Sequence, residues 1–284
     1  MTRVSLLVGC EAMYKSILAI SEGGPDAVWS FRLAATMASM FDASVDAVHF
    51  SEAHRGDFDI VTQSLPFLKT ISDGRVTARA RESERAFREL IAPIAGATFT
   101  GDEEVTLDRV VSMGRSANIL LVGRPGSDPD NISPETVRAA LYDCARPVVI
   151  APPHAPDRPI ASVVVAWNGS AQAARAVGAA LPFLEKADRV TIVVGGTAPD
   201  DVATPLLLRT LGRRGVSATV ATLETGAASG RARGRALRDF AKESKADLLV
   251  MGGYGHGQLT NLLGLGGATA KVIASCPMPL LLAH

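Results

Sequence analysis

The strongest constraint on the fold of this chain is an internal repeat. Ser16-Ile-Leu-Ala-Ile-Ser-Glu-Gly-Gly24 runs from an apolar strand pattern into a glycine turn and then a helix pattern. Ser162-Val-Val-Val-Ala-Trp-Asn-Gly-Ser170 does the same 146 residues later. The ends repeat as well. Ala117-Asn-Ile-Leu-Leu-Val-Gly-Arg-Pro-Gly126 parallels Ala246-Asp-Leu-Leu-Val-Met-Gly-Gly-Tyr-Gly255, and Pro147-Val-Val-Ile-Ala151 parallels Pro279-Leu-Leu-Leu-Ala283. Between the copies, Pro152-Pro-His-Ala-Pro-Asp-Arg-Pro159 places four prolines in eight residues. Neither a helix nor a central strand accommodates that, so it reads as a stiff linker. Two domains are expected, 13–151 and 160–284, and 284 residues is a length that suits two.

Within each copy, short apolar runs alternate with longer amphipathic segments. In the second, strands are expected near 162–167, 189–195, 217–223, 247–252 and 279–283, with helices near 170–185, 200–214, 229–244 and 267–275. Uninterrupted Val/Ile/Leu runs mark strands buried on both faces, as in a parallel sheet covered by helices. The βαβ alternation makes the fold class α/β, with two tandem doubly wound domains. The first copy is less regular. It carries a polar insert near 51–74 and a charge-dense helix near 75–92, where Glu84–Arg88 and Arg85–Glu89 at i,i+4 read as a solvated face.

Composition removes several function classes. Twenty-nine basic and 29 acidic residues leave no net charge to draw the chain onto nucleic acid or an anionic membrane. No apolar run reaches the roughly 18 to 20 residues of a membrane span. Three widely spaced cysteines (Cys10, Cys144, Cys276) form no CxxC pair and fit a reducing, cytoplasmic setting. The five histidines have no metal-ligand spacing, and no Walker A loop or GxSxG elbow is present. Leu7-Val-Gly-Cys10 looks like a lipoprotein cleavage box, but its apolar stretch is shorter than an export signal needs. Residues 1–12 therefore read as an extension, with Met1 and Met13 both open as the start.

Ligands of open α/β sheets bind beyond the carboxyl ends of the strands, where the order reverses. The strongest candidate loop runs from Met251 to Thr269, where Gly252, Gly253, Gly255 and Gly257 allow close approach to an anion. Gly266-Gly267-Ala268-Thr269 then opens a helix whose free N–H groups favour phosphate. The alternative is that these glycines only shape a tight strand-to-helix connection. Arg231, Arg233, Arg235 and Arg238 read as a solvated face, His49 as structural, and Cys276 as a buried thiol.

On the Val164-Val-Ala-Trp-Asn-Gly-Ser170 start, the Ala246–Gly255 stretch and the terminal Cys-Pro-Met-Pro-Leu-Leu-Leu, residues 13–284 resemble a tandem universal stress protein. The resemblance implies five-stranded sheets of order 3-2-1-4-5 related by a pseudo-twofold. It also implies final strands that pair antiparallel, so Val148–Ile150 is expected against Leu280–Leu282, an intramolecular pseudo-dimer. ATP-binding members carry Gly, two residues, Gly, nine residues, Gly and then Ser or Thr. Here ten residues separate Gly255 from Gly266, and Gly267-Ala268 stands at the hydroxyl position, with Thr269 one place late. By resemblance, the adenine-nucleotide contacts are Ala166, Asn168, Gly252, Gly255, His256, Gly257, Gly266, Gly267, Ala268 and Thr269.

Two departures bear on function. The acid that closes the first strand in nucleotide-binding members is Asn168 here, an amide without the charge that holds Mg²⁺, and its first-copy counterpart is Glu22. After Gly123-Arg-Pro-Gly126 the first copy continues Ser-Asp-Pro-Asp-Asn-Ile-Ser-Pro134 without further glycine, a degenerate nucleotide loop. Three readings remain open: a cytoplasmic stress-response regulator that binds ATP in its second domain, an interaction or scaffold protein with an unidentified protein partner and no nucleotide, and a slow ATPase. The last needs a base or metal acid that the sequence does not offer.

Overall fold

The computed structural model describes residues 14–50, 66–101, 105–126, 131–154, 157–196, 202–224, 229–253 and 267–284. The first half runs β1 (Ser16–Ser21), α1 (Pro25–Phe41), β2 (Ser44–His49), α2 (Pro66–Leu90), β3 (Thr98–Thr100), α3 (Leu107–Ser116), β4 (Ile119–Gly123), α4 (Pro134–Arg138, continued by a π-type turn at Ala139–Asp143) and β5 (Val148–Ala151). The second runs β6 (Ser162–Trp167), α5 (Ala171–Lys186), β7 (Arg189–Gly195), α6 (Ala203–Gly212), β8 (Ala218–Leu223), α7 (Gly230–Glu243), β9 (Leu248–Gly252), α8 (Ala268–Ser275) and β10 (Leu280–Ala283).

All ten strands form one sheet of order β3-β2-β1-β4-β5-β10-β9-β6-β7-β8. Each half is therefore a doubly wound 3-2-1-4-5 sheet, parallel throughout. The halves join at β5 and β10, antiparallel, with Leu280 opposite Ile150, Leu281 opposite Val149 and Leu282 opposite Val148. Two four-residue apolar strands that would each be an edge thus cover one another.

The repeat also fixes how each half begins. Lys15 and Ser16 N–H both donate to Asn118 Oδ1 at 2.9 Å. In the second half Ala161 and Ser162 N–H donate to Asp247 Oδ2 at 3.1 and 2.9 Å, and Arg158 of the linker pairs with the same carboxylate at 2.5 Å. A residue just before the fourth strand thus satisfies backbone donors at the first, in both copies.

Each face of the sheet carries one apolar core, and both cores cross the junction between halves. On the α1/α5 face Tyr14, Phe41 and Phe183 form an aromatic cluster with centroids 4.8 to 5.7 Å apart, and the Tyr14 hydroxyl donates to the Ala179 carbonyl of the other half. Residues 1–13, including the extension and Cys10, lie outside the described residues.

One expectation needs correction. The segment taken as a polar insert to residue 74 already belongs to α2 from Pro66. Proline suits the first helical turn because its fixed φ is helical and its missing N–H would be unpaired there. The charge-dense stretch has the solvated face expected of it: Arg85, Arg88 and Glu89 are exposed and Glu84 pairs with Arg88 at 2.5 Å, while Ser83 and Ala86 of the same helix are buried.

Candidate functional site

The order 3-2-1-4-5 reverses between β1 and β4, and again between β6 and β9. Two crevices follow, at the carboxyl ends of those strand pairs. In the second, β6 ends at Trp167 and hands over to an exposed turn, Asn168-Gly169, before Ser170 caps α5 through Ala173 N–H at 3.2 Å. Asn168 Oδ1 accepts the Ser170 N–H at 3.1 Å, and Gly169 takes φ +71°. Side-chain amides close such turns without strain, and glycine adopts positive φ without a Cβ clash. Ala166, half-buried, points toward the α7/α8 side of the sheet.

Gly252 closes β9 against the first turn of α5. A Cβ there would stand 2.7 Å from Ala173 N and 2.8 Å from Gln172 backbone, so the packing itself requires glycine. At α8, Gly267 is the N-cap residue with φ −89° and ψ 173° and makes no side-chain cap bond. Ala268 sits against α7, where a Cβ on Gly234 would meet its carbonyl oxygen at 2.6 Å. Thr269 is buried, 8% exposed. The structure therefore groups Gly252 with the first turn of α5, and Gly267 and Ala268 with α7. Gly255, His256, Gly257 and Gly266 lie outside the described residues.

Sequence reasoning missed two features here. Gly230 and Gly234 let the α8 start approach α7, and their four-residue spacing on one helix face was the available signal. The Trp167 indole N–H, one residue before Asn168, is buried with no acceptor among the described residues.

The first crevice is built differently. Glu22, 7% exposed, accepts the Ser133 N–H through Oε2 at 3.0 Å and the Thr136 hydroxyl through Oε1 at 2.5 Å. Its carboxylate thus sits at the start of α4, where Ser133 is already the cap. From the other side α2 closes the turn. Arg79 Nε donates to the Glu22 carbonyl at 2.8 Å, and Gly24 N–H donates to Glu82 Oε2 at 3.1 Å. Gly23, at φ +82°, leaves no room for a Cβ, which would lie 2.5 Å from Arg79 Cβ. Ser21 Oγ and His49 Nδ1 both hydrogen-bond Ser83 Oγ, each at 2.9 Å. Burial, seconded by the Arg79 charge, holds His49 down at about 4, so its ring is neutral near pH 7.

The remaining candidates resolve as structural. Arg231, Arg233 and Arg235 are exposed, whereas Arg238 bonds Asp239 at 2.6 Å and Ser275 of α8 at 3.1 Å. Cys144 and Cys276 are buried, and burial pushes both thiols up to about 11, away from nucleophilic use. Among the described residues no three His, Cys, Asp or Glu side chains converge as a metal site, and no helix is long and apolar enough to cross a membrane.

Two doubly wound parallel halves of one sheet, a switch-point crevice in each and a glycine-opened helix after the fourth strand of the second define a tandem α/β fold. Residues 160–284 match the universal stress protein family model. A universal stress protein from Archaeoglobus fulgidus DSM 4304 superposes with a TM-score of 0.64 at 16% identity, covering 95% of this chain and 97% of its own. A protein of Pseudomonas aeruginosa UCBPP-PA14 described as a universal stress protein gives 0.56 at 13%, covering 97% and 95%. At such identities the two share the tandem fold with this chain. Comparison with curated proteins finds no match.

Proposed function

We propose that this chain is a cytoplasmic stress-response regulator that binds an adenine nucleotide, ATP by resemblance, in its second half. The observation that carries the reading is the start of α8. Gly267 brings no side-chain cap of its own, and a helix N-terminus at the carboxyl end of the sheet favours an anion through its dipole. The corresponding α4 start is already supplied with Ser133 and the Glu22 carboxylate.

The residues suit a nucleotide better than a protein-held metal. Asn168 offers a neutral oxygen already accepting the Ser170 N–H, so Mg²⁺ would be carried by the phosphates rather than by a side chain. A bound nucleotide of this kind acts by stabilising the folded state, by about 2.7 kcal/mol at a hundredfold excess over its dissociation constant.

The test is Gly267→Asp. A Cβ at Gly267 meets nothing within 4 Å, and its extended backbone accepts any residue. Aspartate would cap α8 with its own carboxylate, as Glu22 serves α4. The expected result is unchanged or slightly raised stability, by a few tenths of a kcal/mol, with loss of the thermal shift that ATP gives the parent chain. Parent protein that shows no shift with ATP, ADP or AMP and carries no co-purified nucleotide by mass spectrometry would leave the scaffold reading in its place.

A further inference from the structure

A groove of about 570 Å³ lies between α1, the end of α2 and the close of the linker, a size typical of small-molecule sites. It shares no residue with either crevice, and its walls fall outside the stretch 160–284. Ala35 and Met40 of α1, Leu90 of α2 and Pro159 give it an apolar lining. The linker forms the wall opposite α1. Its prolines prevent it from continuing as a helix, and two contacts pin it. The His154 ring meets Trp29 of α1 edge-on, with centroids 4.5 Å apart. Arg158 pairs with Asp247 at 2.5 Å, just ahead of the buried Ile160.

One cation in this groove lacks an acceptor. Arg32, half-buried on α1, makes no ion pair and no side-chain hydrogen bond among the described residues. Trp29 holds it instead, with the guanidinium carbon 5.3 Å from the ring centroid. A guanidinium over an aromatic ring is positioned without spending its N–H donors, and it stays charged at any physiological pH. The neighbouring Thr36 hydroxyl is spent on the Arg32 carbonyl at 3.1 Å, and Arg158 is taken by Asp247. We propose that the groove binds a monocarboxylate carrying an apolar chain, its head on Arg32 and its chain along Ala35, Met40, Leu90 and Pro159. The planar guanidinium fork matches the two oxygens of a carboxylate. Asp157, exposed on the linker wall, sets the charge: it repels a doubly charged phosphate ester more strongly than a single carboxylate turned toward Arg32.

The experiment is isothermal titration of the full chain with decanoate, below its micelle concentration and without nucleotide, which keeps it independent of the second-half site. Saturable one-site binding in the micromolar range is expected. Decanol, the same chain without the charge, should bind at least about tenfold more weakly. Arg32→Gln should bring decanoate down to the level of decanol and leave decanol itself unchanged, which shows that the groove is intact. Asp157→Asn should bring decyl phosphate closer to decanoate. In a Trp167→Phe background, Trp29 emission should change as decanoate saturates, because Arg32 lies over that ring. A parent chain without saturable decanoate binding up to about 1 mM overturns the proposal. So does an Arg32→Gln variant that binds decanoate like the parent, decanol that binds as tightly as decanoate, or Trp29 emission that does not move. An Asp157→Asn variant that treats the phosphate ester as the parent does overturns the preference for a single charge.

Discussion

In the first half the turn after β1 is Glu22-Gly23-Gly24, and in the second the turn after β6 is Asn168-Gly169-Ser170. The backbone is alike in both, with φ of +82° at Gly23 and +71° at Gly169. The surroundings are not. Glu22 is buried and holds the start of α4, while Asn168 is exposed and closes only its own turn. Gly23 lies close against Arg79 of α2, a 25-residue helix, whereas a Cβ on Gly169 would stand 3.6 Å from the Ala203 methyl, an ordinary contact. One fold thus carries a crevice filled by its own side chains and one whose helix begins at a glycine that brings no side-chain cap of its own. A carboxylate at a helix N-terminus offers the same charge as a phosphate group, so Glu22 does for α4 what an anion would do for α8 under the proposed function.

The largest expected difference is in stability. Glu22→Ala leaves the Ser133 N–H and the Thr136 hydroxyl buried without their acceptor, and about 4 kcal/mol should be lost in urea unfolding. Asn168→Ala removes an exposed turn bond and should lose under about 1 kcal/mol. Similar losses at the two positions would mean that Glu22 does not hold the first crevice.

Acid should separate the halves next. His49 in the first half corresponds in the strand ladder to Val194 in the second, which does not titrate. Its folded value of about 4 lies below the ordinary 6.5, so on acidification the unfolded chain takes the proton first. The stability associated with the neutral ring is therefore complete above about pH 6.5 and lost as pH falls toward 4, by up to about 3 kcal/mol. His49→Asn keeps a hydrogen-bonding partner for Ser83 and should flatten that part of the profile. An unchanged slope between pH 6.5 and 4 would assign the acid sensitivity to carboxylates instead.

A smaller contrast is expected at the glycines. Gly23→Ala combines positive φ with a Cβ 2.5 Å from Arg79 Cβ, and about 2 to 3 kcal/mol should be lost. At Gly169 only the backbone term applies, so alanine there should cost about 1 kcal/mol. Equal melting temperatures for the two variants would show that α2 yields to the added methyl.

The sequence alone determined the elements and their order. The five strands of the second half fall at Ser162–Trp167, Arg189–Gly195, Ala218–Leu223, Leu248–Gly252 and Leu280–Ala283, within a residue of the apolar runs that mark them. That legibility is physical, because a strand buried on both faces must be apolar at consecutive positions. The pairing of Val148–Ile150 with Leu280–Leu282 was readable for a related reason, since two apolar edges need covering. The candidate site was legible only in outline. The loop that carries Gly255, His256, Gly257 and Gly266 lies outside the described residues, and Gly252 answers to the packing of α5.

The state of each crevice was decided by tertiary structure. Glu22 reaches Ser133 and Thr136 across 111 and 114 residues, and Arg79 returns to Glu22 across 57. No local periodicity encodes such contacts. They exist because a doubly wound sheet brings the carboxyl ends of β1 and β4 together and lays α2 against the turn after β1. The union of the two cores across β5 and β10 has the same origin: side chains from both halves meet only after the strands have paired.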